Sequence, residues 1–310
     1  MKHIIQLLLI IALGAVSAGL TAQENEQSSD NPFGQSHFVP DISLLIDCSY
    51  AYRSLDDREY NSLTVPAFSR PGAESAAEEI DSMNARRGFN FNYGELVIAS
   101  TVDPYFDLFA VLTLMEDEFA IEEAYVTTRK LPLGFQVKAG KFLSSFGRIN
   151  EQHSHFWDFS DSPLVYAVLF GSSMLNEKGL RLTWVAPTDA YIMLGAEVLQ
   201  GDNRMSYGSE GFRDSSGSAD VGESSAPNLY VAYMKSSFDI GDASVLLGIS
   251  NSYGKARINN NIDGSGSGFA LHGHSSISGA DLTVKYMIDS IRSVSLQGEY
   301  LYRVIRGDRY

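Results

Sequence analysis

Five side chains that handle metals or protons fall within eleven residues: Glu151, His153, His155, Asp158 and Asp161. Imidazole and carboxylate are zinc-type donors. His-x-His in an extended chain turns both rings to one side. The spacing recurs at His272 and His274. One reading is a set of polar side chains that orders a loop or narrows a pore mouth. The other is a divalent-metal site, with zinc as the ion, drawn from Glu151, His153, His155, Asp158, His272 and His274. No third ligand stands at a fixed spacing, so the pattern alone does not choose between them. No other cofactor is implied. A lipid hydrolase in a membrane barrel needs a Ser/His/Asn-type set on a strand near the rim. No histidine falls in a strand assigned below, so no catalytic residue and no enzyme activity is expected.

The elements that must position these residues are strands. Ile42, Leu44, Ile46, Cys48, Tyr50 and Tyr52 are apolar at every second position, which is the period of a strand with one apolar face. Cys48, the lone cysteine, belongs to that face. A second run, 87–99, sets Phe89, Phe91 and Tyr93 against Asn90 and Asn92. Runs at 105–115, 119–129 and 135–143 follow. In the fourth run Glu122 and Glu123 adjoin, so strict alternation must place one of them on each face. Six more runs centre on Leu182, Leu194, Val231, Leu247, Val284 and Leu296. In the eighth, Leu229, Val231 and Tyr233 are assigned to the apolar face.

Short and long links alternate along the chain. Long ones cover 54–86, 144–177, 201–227 and 254–278. Outer-membrane barrels have short periplasmic turns and long external loops. The N-terminus carries Lys2, an apolar run Ile4–Val16 and small residues at Ala18 and Ala22, the pattern of a cleaved signal peptide over 1–22. A polar lead-in at 23–37 is expected to be flexible and periplasmic. Lys+Arg 23 against Asp+Glu 38 gives a net charge of −15, which argues against a nucleic-acid partner. The expected fold is all-β: a transmembrane antiparallel β-barrel over 38–310 in the bacterial outer membrane, with about eleven strands present. A soluble β-sandwich is the competing architecture, because it also alternates faces.

The run GFQVKAGKFLSSFGRIN (134–150), followed by His153, His155, Trp157, Asp158 and Pro163, resembles the outer-membrane porins of the phosphate-selective type. The resemblance covers about 45 residues; beyond them only the barrel pattern is shared. It implies a passive, water-filled channel for small hydrophilic solutes or ions, as a homotrimer of barrels with about 16 strands. Its partners would be outer-membrane lipid and the solutes. Strand parity turns Asp47, Asp107, Lys138, Arg181, Glu197, Asp281, Lys285 and Glu299 toward the pore, with Arg53 and Arg303. Acids and bases balance there, so the basic ladder of an anion-selective pore is missing. The alternative function is a surface receptor that captures zinc on histidine-bearing external loops.

Eleven strands is an odd number, whereas single-chain bacterial barrels are even. Counting back by twos from Tyr310 meets Asp308, Arg306 and Val304, so the apolar alternation fails there. Gly307-Asp308 reads as the start of another external loop, and an incomplete, C-terminally truncated barrel is expected. Parity also yields a test. Leu194→Arg places a charge on the lipid face, at a cost of about 2–4 kcal/mol mid-membrane, whereas Thr183→Arg enters the lumen at far less cost. Leu194→Arg should damage assembly, and Thr183→Arg should leave assembly intact and shift ion selectivity. Equal behaviour of the two would mean that the face assignment is wrong.

Overall fold

The structure is a computed structural model. It describes residues 39–57, 59, 86–116, 119–159, 162–171, 173–213, 220–224, 227–259 and 270–309. The expected signal peptide and lead-in, most of the loop 54–86, and Asp161 lie outside the described residues.

The chain is all-β. In order come β1 (Asp41–Ala51), β2 (Gly88–Thr101), β3 (Phe106–Leu114), β4 (Phe119–Thr128), β5 (Phe135–Leu143), β6 (Asn176–Val185) and β7 (Tyr191–Leu199). A two-residue pair, β8 (Phe212–Arg213) with β9 (Asp220–Val221), precedes β10 (Leu229–Ile240), β11 (Ala243–Asn259), β12 (Ala270–Met287) and β13 (Ser293–Arg309). Apart from β8 and β9, all eleven expected runs are strands of one antiparallel sheet, ordered as in the chain, with β1 and β13 as its two edges. Between β5 and β6 lie a 3₁₀ turn, Ser154–Phe156, and a helix, α1 (Leu164–Phe170).

One face of the sheet is apolar and exposed. It carries Ile42, Leu44 and Ile46 on β1, Leu180 and Leu182 on β6, Leu194 on β7, Leu247 and Ile249 on β11, and Leu296 and Tyr300 on β13. The other face bears the segment from Ser144 to Leu175. Instead of reaching away from the sheet as an external loop, this segment lies on that face and supplies nearly half of the core: Phe146, Ile149, Tyr166, Leu169, Phe170, Met174 and Leu175. Its apolar residues explain why. A solvated loop would leave them in water, at about 1.5–3 kcal/mol for each large side chain.

The segment also shows that the sheet is curled. The Ile149 N–H donates to Glu299 on β13 at 2.9 Å, while His155 Nδ1 lies 3.2 Å from Glu95 on β2. Those strands are nine spacings apart in the sheet, ~43 Å if it were flat at ~4.8 Å per strand. Six residues reach at most ~21 Å when extended, and these form turns.

Two β-bulges change the face assignments. Asp47 pairs with Tyr93 and Cys48 with Phe91, so Asn92 is an extra residue in β2. Phe89 and Phe91 stay on the exposed face, but Tyr93 is turned to the core face and buried. Val111 pairs with Glu123 and Leu112 with Ile121, so Glu122 is extra in β4. The expected parity of β10 is reversed without a bulge. Leu229, Val231 and Tyr233 are buried against the core, and Tyr230 and Met234 are exposed. Both faces are apolar there because the inner one meets the segment.

Two expected loops are partly strand. β11 reaches Asn259 and β12 begins at Ala270, so His272 and His274 are strand residues, opposite Arg257 and Lys255 on β11. β13 continues through Gly307 and Asp308 to Arg309, opposite Leu271. The ladder with β12 holds these polar residues extended where the sequence alone suggested a loop.

Phe146 is fully buried and packs edge-on to Phe170 at 5.6 Å. Phe146→Ala should cost about 3–5 kcal/mol and speed proteolytic cleavage between residues 144 and 175. Phe156→Ala, at an exposed ring, should leave the cleavage rate unchanged.

Candidate functional site

Wall glutamates hold the inner segment through its backbone N–H groups. Glu197 on β7 accepts from the Ser145 N–H at 2.9 Å and from the Ser144 hydroxyl. Glu299 on β13 accepts from Arg148 and Ile149 at 3.1 and 2.9 Å, and from the Tyr166 hydroxyl. Glu123 on β4 accepts from Leu143 at 2.7 Å. Glu177 on β6 does the same for the next connection, taking the Gly201, Asp202 and Asn203 N–H groups. A carboxylate that accepts several N–H bonds can stay buried. Glu197 and Glu299 were expected to be free pore charges. They are on the expected face, but their oxygens are engaged by the segment. Gly147 lies between these anchors with φ of 67°, and a Cβ there would strike the Tyr166 hydroxyl.

The densest chemistry forms where the 3₁₀ turn meets β2 and β4. His153 Nε2 lies 2.9 Å from Glu123 Oε2. Its Nδ1 lies 3.3 Å from Glu122 Oε1 and 3.7 Å from Glu95 Oε1. Thr113 Oγ1 donates to the other Glu122 oxygen at 2.8 Å. His155 stacks beside His153, and its Nδ1 faces the second oxygen of Glu95 at 3.2 Å. The Glu95 side chain is 3% exposed and that of His153 11%. The bulge builds this site. With Glu122 as the extra residue, it and Glu123 both reach His153 although they are neighbours in a strand. Burial disfavours the His153 imidazolium, but the Glu122 and Glu123 carboxylates hold its pKa up at about 10.

Of the residues proposed as metal ligands, His153 and His155 are brought together. Glu151 is turned away, paired with Lys235 at 3.0 Å and facing Arg181 at 3.9 Å. Asp158 is exposed. His274 stacks on Tyr253 at 5.4 Å on the β11–β12 ladder, with His272 two residues away on the same strand. Glu95, Glu122 and Glu123 were missed. The trace of them in the sequence was the Glu122-Glu123 pair itself, which strict alternation cannot place on one face.

Other expected pore residues form a second polar region. Lys138 and Arg181 are opposite one another, as are Arg181 and Glu197. Lys138 Nζ stands 3.8 Å above the Tyr125 ring. Lys138 and Arg181, with Glu151, Thr183 and Tyr233, line a cleft of about 360 Å³ beside His153. Asp281 is opposite Glu299 and beside Gly248, where a Cβ would collide with its carboxylate. Asp47 accepts from Asn92, and Asp107 from Thr101 at 2.9 Å. Lys285 is exposed.

No family model matches the chain, and no solved structure matches it. An uncharacterized protein of Aquifex aeolicus (strain VF5) is 48% identical over 280 residues, which is 90% of this chain and 58% of that protein. The chain thus spans less than two thirds of the relative's length.

Replacing Glu299 by Leu strands two backbone donors and a phenol, at about 1–3 kcal/mol for each buried group left without a partner. Trp157 lies in the segment, so a Trp184→Phe background makes it the single fluorescent reporter. Glu299→Leu should expose Trp157 at lower denaturant concentration. An unchanged transition would show that the anchor contributes nothing.

Proposed function

We propose that the chain forms an outer-membrane β-barrel of the porin kind, a passive channel for small hydrophilic solutes or ions. One observation carries the reading: eleven strands form a single sheet whose outward face is apolar and exposed from β1 to β13. Soluble monomers rarely expose contiguous apolar patches beyond a few hundred Å². A sandwich would cover this face with a second sheet, and the described strands beyond the small β8–β9 pair all lie in the first. Lipid is the solvent that suits it. The aromatic pair Tyr50–Phe89, 5.1 Å apart, stands on this face near the end of β1, as residues at a membrane interface do.

On this reading the Ser144–Leu175 segment narrows the lumen, and the cleft beside Lys138 and Arg181 is part of the passage. The mixed charge of the lining supports a general channel more than one dedicated to phosphate. The N-terminal signal supports export to the bacterial outer membrane, the partners are lipid and solutes, and the family resemblance supports a trimer. A surface receptor using all four loop histidines gains no support from geometry, because His272 and His274 lie on β12 rather than beside His153. Closure requires that the edges of β1 and β13 be paired, since open backbone groups in lipid cost several kcal/mol each.

Purified full chain should give stepwise conductance in a planar bilayer. Lys138→Glu should shift its ion preference toward cations. Protein that inserts and passes no current would end this proposal.

A further inference from the structure

We infer that Glu95, Glu122 and His153 form a binding site for one divalent transition-metal ion of the zinc class, pinning the inner segment to the wall. This site stands on local geometry and does not depend on whether the chain conducts. One ligand atom from each residue lies within 4.8 Å of the others. A tetrahedral zinc ion with ligands at ~2.0–2.1 Å sets its donor atoms ~3.4 Å apart, close to the 3.3 and 3.7 Å from His153 Nδ1 to the two carboxylates.

The ring nitrogen aimed at these oxygens is buried and makes no hydrogen bond, although both carboxylates are close. His155 Nδ1, facing Glu95, is in the same condition. Nδ1 of His153 meets Glu122 and Glu95 at ion-pair distance without hydrogen-bond geometry, and a metal in the gap would replace the ring proton there. The opposite nitrogen of His153 meets Glu123, the carboxylate–histidine–metal relay that fixes ring orientation in metal sites. An imidazole donor favours zinc-class ions over calcium or magnesium, which prefer oxygen alone. The three protein ligands leave a fourth position open for water or another ligand.

The test is calorimetric titration of the full chain in detergent with Zn²⁺, after stripping with chelator. Wild type should bind one ion. His153→Ala and the double variant Glu95→Gln/Glu122→Gln should lose it. Glu123→Gln should weaken it by about 10- to 100-fold, and His272→Ala/His274→Ala should bind as wild type does. Absence of binding by wild type, or undiminished binding by His153→Ala, would overturn the inference. If the variants fail to fold, Co²⁺ bound to wild type decides. Intense visible bands of a tetrahedral nitrogen–oxygen site support it, and the weak bands of hydrated Co²⁺ overturn it.

Discussion

The arrangement depends on buried carboxylates that accept backbone N–H groups. A sheet with one exposed apolar face and one polar face has no reason to hold a long connection against the polar one. Glu197 and Glu299 supply one, because they stand on strands far apart in the sheet and bind consecutive parts of one segment, while Glu123 takes the Leu143 N–H at the end of β5 where the segment begins. Each side needs the other. The segment's amides would go unpaired without the glutamates, and the glutamates would be desolvated charges without the amides. The hydrophobic effect then adds to the fixation, as Phe146, Tyr166 and Phe170 fill the space between the anchors.

That mutual requirement changes the meaning of a charged lining. Acids that count as lining charges in the sequence are not free charges when they are consumed by hydrogen bonds to the chain. Glu197 and Glu299 are occupied in this way, while Lys138 faces the cleft with its ammonium over the Tyr125 ring. The free fixed charges on this face are therefore fewer than parity alone suggests, and of both signs, since Arg181 faces Glu151 and Glu197 and Lys235 pairs with Glu151.

The strands were legible because period two repeats along each run, and residues such as Ile42, Leu44 and Ile46 lie where alternation puts them. Three features were not legible, for separate physical reasons. A bulge is a local backbone event with no composition of its own, so Tyr93 was assigned to the wrong face. The parity of β10 was ambiguous because alternation distinguishes faces only when they differ in polarity, and both are apolar at Leu229–Met234. The direction of the 144–175 segment was hidden because anchoring amides are present in every sequence. Its histidines were visible as metal-type donors. Their partners were not, because Glu95 and His155 are sixty residues apart and meet only when the segment after β5 folds back across the sheet to β2.

Asn92 and Glu122 give the two-state face pattern of their strands something like a reading frame. Every side chain on one side of such a residue obeys one phase, and every side chain beyond it obeys the other. Deleting Glu122 alone would leave a sequence that looks more regular than the native one. It would let Leu112 stay opposite Ile121 and Val111 opposite Glu123 in an unbroken ladder, so every remaining side chain would keep its face and the second carboxylate beside His153 would be lost. A single-residue change of length within β4 is therefore tolerated by the face pattern at Glu122, whereas elsewhere in the strand it would shift the phase of the residues beyond it. Apparent irregularity in a strand of this kind records where the inner surface needed two adjacent residues to face the same way.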